Sequence, residues 1–219
     1  DSERLNVSTV EDPVEYNLEF CNQVQVNEKT GMTFSAALRS LLRQDPDIIM
    51  IGEIRDAETA RIAVQAALTG HLVLSTLHTN DAPSSVSRLV NIGIEPYLIA
   101  ASLNGILAQR LVRRICENCK EPFDAPDNLR KYLDAAQINP GELMAGKGCD
   151  KCRNSGYAGR CGIHELLVID DDFRRIINKD STVENMRRAF RESGWPNLFQ
   201  DGLLKVKQGI TTIEEILRV

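Results

Sequence analysis

The sequence predicts an α/β fold with a parallel sheet, and three consecutive stretches carry that expectation. An apolar run, Ile48-Ile49-Met50-Ile51, ends in Gly52-Glu53. An alanine-rich helix over 56–69 stops at Gly70. A second apolar run, 71–78, ends in His78. Two buried strands joined by one helix form half of a nucleotide-binding sheet, and each strand finishes in an ionisable group. Ligands of open α/β sheets bind beyond the carboxyl ends of the strands. A carboxylate at such an end is placed to polarise a water or to hold a metal. The pattern points to a nucleotide hydrolase, or to a large part of one.

Each element has its own signal. Residues 5–12, LNVSTVED, alternate and are β-branched up to Pro13, which reads as a strand ending near Asp12. Residues 14–32 are irregular, with room for a short strand at QVQV. Thr33 is an N-cap for a helix whose apolar face is Phe34, Ala37, Leu38, Leu41 and Leu42, and Asp45-Pro46 ends it. The continuous run at 48–51 suits a strand covered on both faces. In the next helix Ala60, Ile62, Ala63 and Ala67 face inward, and Gly70 suits the position just past its end. The run 71–78 is the third strand. The connections are too long for hairpins, so this β-α-β-α-β order implies parallel strands. Residues 82–115 read as two helical pieces broken near Gly93 and Pro96, ending in the basic stretch QRLVRRICENCK. Residues 120–148 are polar and interrupted by Pro122, Pro126 and Pro140. Residues 149–162 are rich in glycine and cysteine, and 163–219 read as mainly helical, with caps at Asp180-Ser181 and Thr211-Thr212. Three consecutive segments follow: a partial core over 1–114, a cysteine-bearing subdomain over 115–160 and a C-terminal helical region over 161–219.

Composition excludes several classes. The 219 residues are 42% hydrophobic and 26% charged, ordinary for a globular protein. The 31 acids outweigh 26 bases for a net charge of -5, which argues against a protein devoted to nucleic acid. No apolar run approaches the roughly 20 residues that span a bilayer. The N-terminus has neither a basic nor an apolar segment of the signal-peptide kind. The chain has no initiator methionine and enters a strand almost at once, as an excerpt of something longer would.

Glu11 and Asp12, Glu53, and His78 finish the three strands. Glu53 suits a general base or water-positioning group for attack on a γ-phosphate, a reaction that needs chiefly positioning and charge neutralisation. Glu11 and Asp12 suit ordering Mg²⁺ through water or orienting the nucleophile; the alternative is capping beside Pro13. His78, with Thr79, Asn80 and Asp81, lies where a γ-phosphate sensor would sit. His71 and His78 are an odd offset apart, so in one strand they point to opposite faces and do not share a metal. A packed, backbone-satisfied histidine is the alternative for each, and for His71 the two readings weigh equally. Arg39, Arg43 and Arg55 are candidate phosphate contacts; Arg39 and Arg43, four apart on one helix, equally suit a solvated face.

The cysteines form a second site. Cys116 and Cys119 make one C-x-x-C, and Cys149 and Cys152 another. Two such pairs suit a structural Zn²⁺ with four thiolates and no open position, rather than disulfides. Lys120, Lys151 and Arg153 offset the charge of such a site. A redox pair or free thiols are the alternatives, and Cys21 and Cys161 fall outside the pattern.

No G-x-x-x-x-G-K-[ST] occurs, so the backbone cradle for the β- and γ-phosphates is not in these residues. The stretches VEDPVEY, RQDPDIIMIGEIRDAETA, TGHLVLSTLHTNDAP, AQRLVRRIC-x-x-C, GCDKCRNSGYAGR-x-GIHELL and DGLLKVKQGITTIEEILRV closely resemble the secretion ATPases of bacterial type II secretion and type IV pilus assembly, essentially end to end. By that resemblance the core is RecA-like. The family's Asp box falls on Glu11, Asp12 and Glu15, its atypical Walker B on Gly52 and Glu53, its His box on His71 and His78, and its zinc subdomain on the four cysteines. That subdomain marks the assembly and secretion branch, since retraction-type motors lack it. The resemblance further implies a cytoplasmic homo-hexamer that uses ATP and Mg²⁺, docks on inner-membrane platform proteins and extrudes pilin or pseudopilin. Asp12, Gly52, Arg55, His71 and Thr79 together are the candidate nucleotide-binding residues. Family members carry a Walker A loop and a platform-binding domain upstream of the Asp box. A catalytically silent, zinc-stabilised module that joins full-length subunits is the competing class. A DNA translocase is a third, disfavoured by the acidic balance and the lack of interleaved aromatic and basic residues.

Overall fold

The structure is a computed structural model that describes residues 4–124, 129, 132–133, 138–139 and 143–219. Its α/β core is a four-stranded sheet in the order β2-β1-β3-β4, parallel throughout. The strands are β1 (Val7–Glu11), β2 (Asn22–Gln25), β3 (Ile48–Ile51) and β4 (Leu72–Ser75). The register sets Val10 beside Val24 on one side and Ile51 on the other, and Ile51 beside Ser75. Position 8 to position 11 of β1 are all buried, as befits a strand flanked on both sides. β4 is one edge of this sheet, and its Leu72 and Leu74 stay 49% and 50% exposed.

The helices form where capping and periodicity direct them. α1 (Phe34–Leu41) starts at Thr33, whose hydroxyl accepts from the Ala36 amide. Its Leu38 packs with Ile49, Ile51, Ala63 and Ala66, while Ala37 and Leu41 pack with Val10 and Val26. α2 (Ala57–Leu68) starts at Asp56, which accepts from both the amide and the hydroxyl of Thr59. α1 stops at Leu41, before Asp45-Pro46, so Arg43 lies outside the helix and donates to the Ser40 hydroxyl instead. Arg39 pairs with Glu58 of α2 on the surface.

α3 (Ala82–Ile92) and α4 (Pro96–Ser102) break at Gly93 and Pro96 as expected. The helical reading fails after Ser102. Residues 105–115 are β5 (Gly105–Ile115), which pairs with β8 (Tyr157–Val168) in a two-stranded sheet, so the start of the supposed helical tail is strand as well. The physical reason lies in the pattern: Ile163, Glu165 and Leu167 are buried while His164, Leu166 and Val168 are exposed, a period of two. Between them β6 (Lys120–Pro122) and β7 (Met144–Gly146) pair antiparallel. Pro126 and Pro140 lie outside the described residues. Four helices follow among the described residues: α5 (Asp171–Lys179), α6 (Val183–Glu192), α7 (Leu198–Lys207) and α8 (Ile213–Arg218). Asp170 caps α5 and Asn197 caps α7.

The chain divides into two compact units, 1–106 with 168–192, and 107–167 with 193–219. Each draws on separate stretches of chain, whereas the segments drawn from the sequence are consecutive. The second unit has its own apolar core, built around Val112, Leu133, Ile163, Val206 and Ile213. Beside that core the buried carboxylate of Glu215 receives hydrogen bonds from the backbone and guanidinium of Arg113 and from Arg218. Among the described residues no helix is long and apolar enough to cross a membrane.

Candidate functional site

The parallel register carries the carboxyl ends of β1, β3 and β4 to one edge of the sheet. Beyond the last paired residues, the Gly52 amide donates to the Val10 carbonyl at 2.7 Å, and the Thr76 hydroxyl donates to the Gly52 carbonyl at 2.6 Å. The Ile54 amide donates to the Thr76 carbonyl at 3.2 Å. These bonds extend the sheet's alignment past the strands and set Glu53 opposite the segment that bears His78. Gly52 allows the close approach: a Cβ there would lie 3.2 Å from the Val10 carbonyl oxygen and 3.6 Å from the Phe34 ring.

Glu53 is the centre of the site. Its side chain is 13% exposed, and one carboxylate oxygen faces both Arg55 Nε and His78 Nε2, the latter at 3.0 Å. The bond from Arg55 holds its carboxyl below the usual carboxylate range; partial burial opposes this, and the His78 contact adds to it. The group is thus an ionised acceptor near neutral pH. Arg55 and His78 are largely exposed, and both contact the same Glu53 oxygen.

Glu11 is buried one strand away. Burial works against its charge, yet the Thr9 hydroxyl at 2.5 Å, the Gln23 amide at 2.9 Å and the Glu15 backbone amide together keep its pKa low. Thr9 and Gln23 are paired in the β1–β2 register, so one face of two strands supports this carboxylate. Neither residue was singled out in the sequence. The i, i+2 relation of Thr9 to Glu11 was the available signal; Gln23 needed the sheet pairing. Asp12 is exposed beside them.

His78 does not end a strand. β4 stops at Ser75, so His78 lies in the turn that leads to α3, and the odd-offset argument about the two histidines does not apply. His71 precedes β4 at its other end, where Nδ1 lies 2.9 Å from the Ala66 carbonyl and 3.2 Å from the Thr69 hydroxyl. The structure therefore gathers Gly52, Glu53, Arg55 and His78, sets Glu11 and Asp12 on the adjacent strand end, and leaves His71 satisfied by the end of α2. Thr79 bonds to the Ser85 hydroxyl at 2.8 Å, and Asp81 caps α3 through the Ser84 amide.

In the second unit the Sγ atoms of Cys116, Cys119, Cys149 and Cys152 all lie within 4.8 Å of one another. Three of their separations are 3.9, 3.9 and 3.7 Å. A tetrahedral zinc with bonds of about 2.3 Å needs sulfur–sulfur edges of about 3.8 Å, so the donor set fits that ion. Backbone amides of Cys149 and Gly156 reach Cys152 Sγ at 3.2 and 3.3 Å, and Asn118 Nδ2 reaches Cys149 Sγ at 3.3 Å. Against the cost of burial, the Cys149 and Gly156 amides lower the Cys152 thiol to about 6, whereas burial pushes Cys119 up to about 12. Gly146 permits the arrangement, since a Cβ there would fall 2.1 Å from the Gly156 carbonyl oxygen. Cys21 and Cys161 are free thiols apart from the cluster.

Three comparisons with known proteins agree. The family model described as type II/IV secretion system protein matches residues 1–218. The type II secretion system ATPase E of Vibrio cholerae serotype O1 is 52% identical over 218 residues, which make up 100% of this chain and 43% of that protein. The type IV pilus assembly ATPase PilB of Thermus thermophilus is 53% identical over 214 residues, 97% of this chain and 24% of that protein. Among solved structures, the pilus retraction motor PilT with bound ADP aligns with a TM-score of 0.70 and 28% identity, over 98% of this chain and 52% of that one. The Legionella pneumophila ATPase DotB shares the fold, with a TM-score of 0.69 and 23% identity, over 99% of this chain and 53% of that one. The chain spans less than half the length of these curated relatives.

Proposed function

The chain belongs to the type II/IV secretion system protein family, and on that premise we propose that it is the hydrolytic side of a RecA-like motor ATPase. The observation that carries this reading is the meeting of Glu53 and His78, 3.0 Å apart, at the carboxyl edge of a parallel sheet, with Glu11 on the next strand. In the proposed reaction Glu53 orients the attacking water and takes its proton while His78 contacts the γ-phosphate. Arg55 neutralises phosphate charge, and Glu11 and Asp12 are the residues that would hold Mg²⁺, which would neutralise further charge on the phosphates. Gly52 leaves room for the nucleotide beside the strand ends, and Thr79 with His71 shapes the turns at the two ends of β4. Phosphoryl transfer asks for this kind of positioning and little covalent chemistry.

Glu53 is held by Arg55 and His78, whose side chains are both exposed. An arriving γ-phosphate competes for Arg55 and His78, and so frees the carboxylate for water only when substrate is present. Cys116, Cys119, Cys149 and Cys152 would hold a structural zinc. That ion supplies four bonds that close a small knuckle where apolar burial is scant. From the family resemblance we further propose that the assembled protein is a cytoplasmic homo-hexamer working with inner-membrane platform proteins in pilin or pseudopilin extrusion.

The phosphate cradle must come from residues other than these 219, since they contain no P-loop. The purified 219-residue chain should therefore bind ATP weakly and show no steady turnover. Sustained hydrolysis by that chain alone would sink the half-site reading.

A further inference from the structure

Residues 76–81 run from the end of β4 to the start of α3, with His78 near their middle. The His78 side chain is 81% exposed. Packing does not hold the ring, so its place depends on what grips the two ends of the segment. In front, Thr76 is fixed to Gly52 and Ile54 through its hydroxyl and carbonyl. Behind, Asp81 Oδ1 accepts from the Ser84 amide at 2.9 Å, and Asp81 Oδ2 accepts from Arg187 Nε at 2.8 Å and lies 2.7 Å from Arg187 Nη2 in an ion pair.

Arg187 lies on α6, in the same compact unit but 106 residues along the chain. A second bond joins the same region to α3, from the Ser87 hydroxyl to the Ser181 carbonyl at 2.5 Å. Isolated surface ion pairs contribute little. This pair differs in geometry: two guanidinium nitrogens lie within 2.8 Å of one carboxylate oxygen while the other oxygen caps α3, an arrangement that a single lysine ammonium does not reproduce. The carboxylate is only 22% exposed and serves at once as helix cap and as ion-pair partner.

We propose that Arg187 is a positioning residue for His78. Through Asp81 it fixes the rear of the 76–81 segment and so keeps the imidazole within reach of Glu53. It touches neither member of that pair. Its effect passes through the backbone between Asp81 and His78, and a displacement of about an ångström there breaks a 3.0 Å hydrogen bond. The proposal rests on reading Glu53 and His78 as the hydrolytic pair.

Nuclear magnetic resonance of the imidazole groups tests it on the 219-residue chain. The chain has 3 histidines, so the ring signals are readily assigned. Glu53→Ala defines how far the His78 signals move when the partner is lost. Arg187→Met keeps an unbranched apolar stem and removes the guanidinium. The expected result is that Arg187→Met moves the His78 signals in the same direction by half that distance or more, leaving those of His71 and His164 in place. Arg187→Lys should fall between. If Glu53→Ala leaves the His78 signals unmoved, the pair itself does not form and the reading of the site fails. If Glu53→Ala moves them and Arg187→Met does not, the role of Arg187 is overturned. Should Arg187→Met fail to fold, Asp81→Asn retains a cap acceptor, removes the ion pair and is judged by the same two outcomes.

Discussion

Replacing Glu215 by glutamine should destabilise the second unit by an amount that depends on pH. Glu215 is 1% exposed and accepts from the Arg113 amide at 3.0 Å, the Arg113 guanidinium at 2.6 Å, and two Arg218 nitrogens at 3.0 and 2.9 Å. Burial alone would raise its pKa, but those donors bring it down from 4.5 to about 2. At about 1.4 kcal/mol per pH unit the gap corresponds to about 3 kcal/mol. Both arginines are about half exposed, so water screens part of this and leaves about 2 kcal/mol. The folded pKa lies below the unfolded one, so this stabilisation is complete above the ordinary carboxylate range. It disappears as pH falls through that range towards the folded value, and by about pH 3 more than half is gone. The assay is urea unfolding followed by the fluorescence of the single tryptophan, Trp195, which lies in this unit. Glu215→Gln should cost about 2 kcal/mol at neutral pH and less than about 1 kcal/mol near pH 3. A cost below about 0.5 kcal/mol at neutral pH, or one that is the same at both, would refute the reasoning.

Other consequences can be checked with the same chain. Metal analysis should find one zinc per chain, and Cys152→Ser or a strong chelator should release it and lower the midpoint of the Trp195 transition; an unchanged midpoint would count against a structural metal. Gly52→Ala places a Cβ 3.2 Å from the Val10 carbonyl oxygen and should destabilise the first unit by about 1–3 kcal/mol, read as a lower Tm. Asp56→Ala removes the acceptor that caps α2 and should cost about 1 kcal/mol, with Asp56→Asn recovering most of it.

The elements that were legible in the sequence are those whose signal is local. Thr33 and Asp56 announce helix starts because a side-chain oxygen must accept an orphan amide within one turn. The run at 48–51 announces a strand because a short apolar run bounded by Asp45-Pro46 and Gly52 suits a central strand of a covered sheet, and two of its four residues are fully buried. The four cysteines announce their cluster by spacing alone. β5 and the end of β8, from residue 163, do not read as strands in the sequence; in β5 the arginines over 110–114 resemble a helix's solvated face and interrupt the alternation that marks a strand. What the sequence could not show is whatever depends on pairing across the fold. The Gln23 support for Glu11, the Arg187 grip on Asp81 and the burial of Glu215 against Arg113 join residues 12, 106 and 102 positions apart. The strand-end placement of His78 was off for a smaller reason. β4 ends at Ser75, and the alignment that brings His78 to Glu53 is continued by the Thr76 hydroxyl rather than by ladder bonds.

The central claim is that Glu53 does the hydrolytic work. Its direct measurement is single-turnover ATP hydrolysis by this chain joined behind the upstream portion of the Vibrio cholerae relative, compared with the same fusion carrying Glu53→Gln. The substitution should leave ATP binding within about twofold and slow the chemical step by roughly a hundredfold or more. Hydrolysis at an unchanged rate in the Glu53→Gln fusion would contradict it.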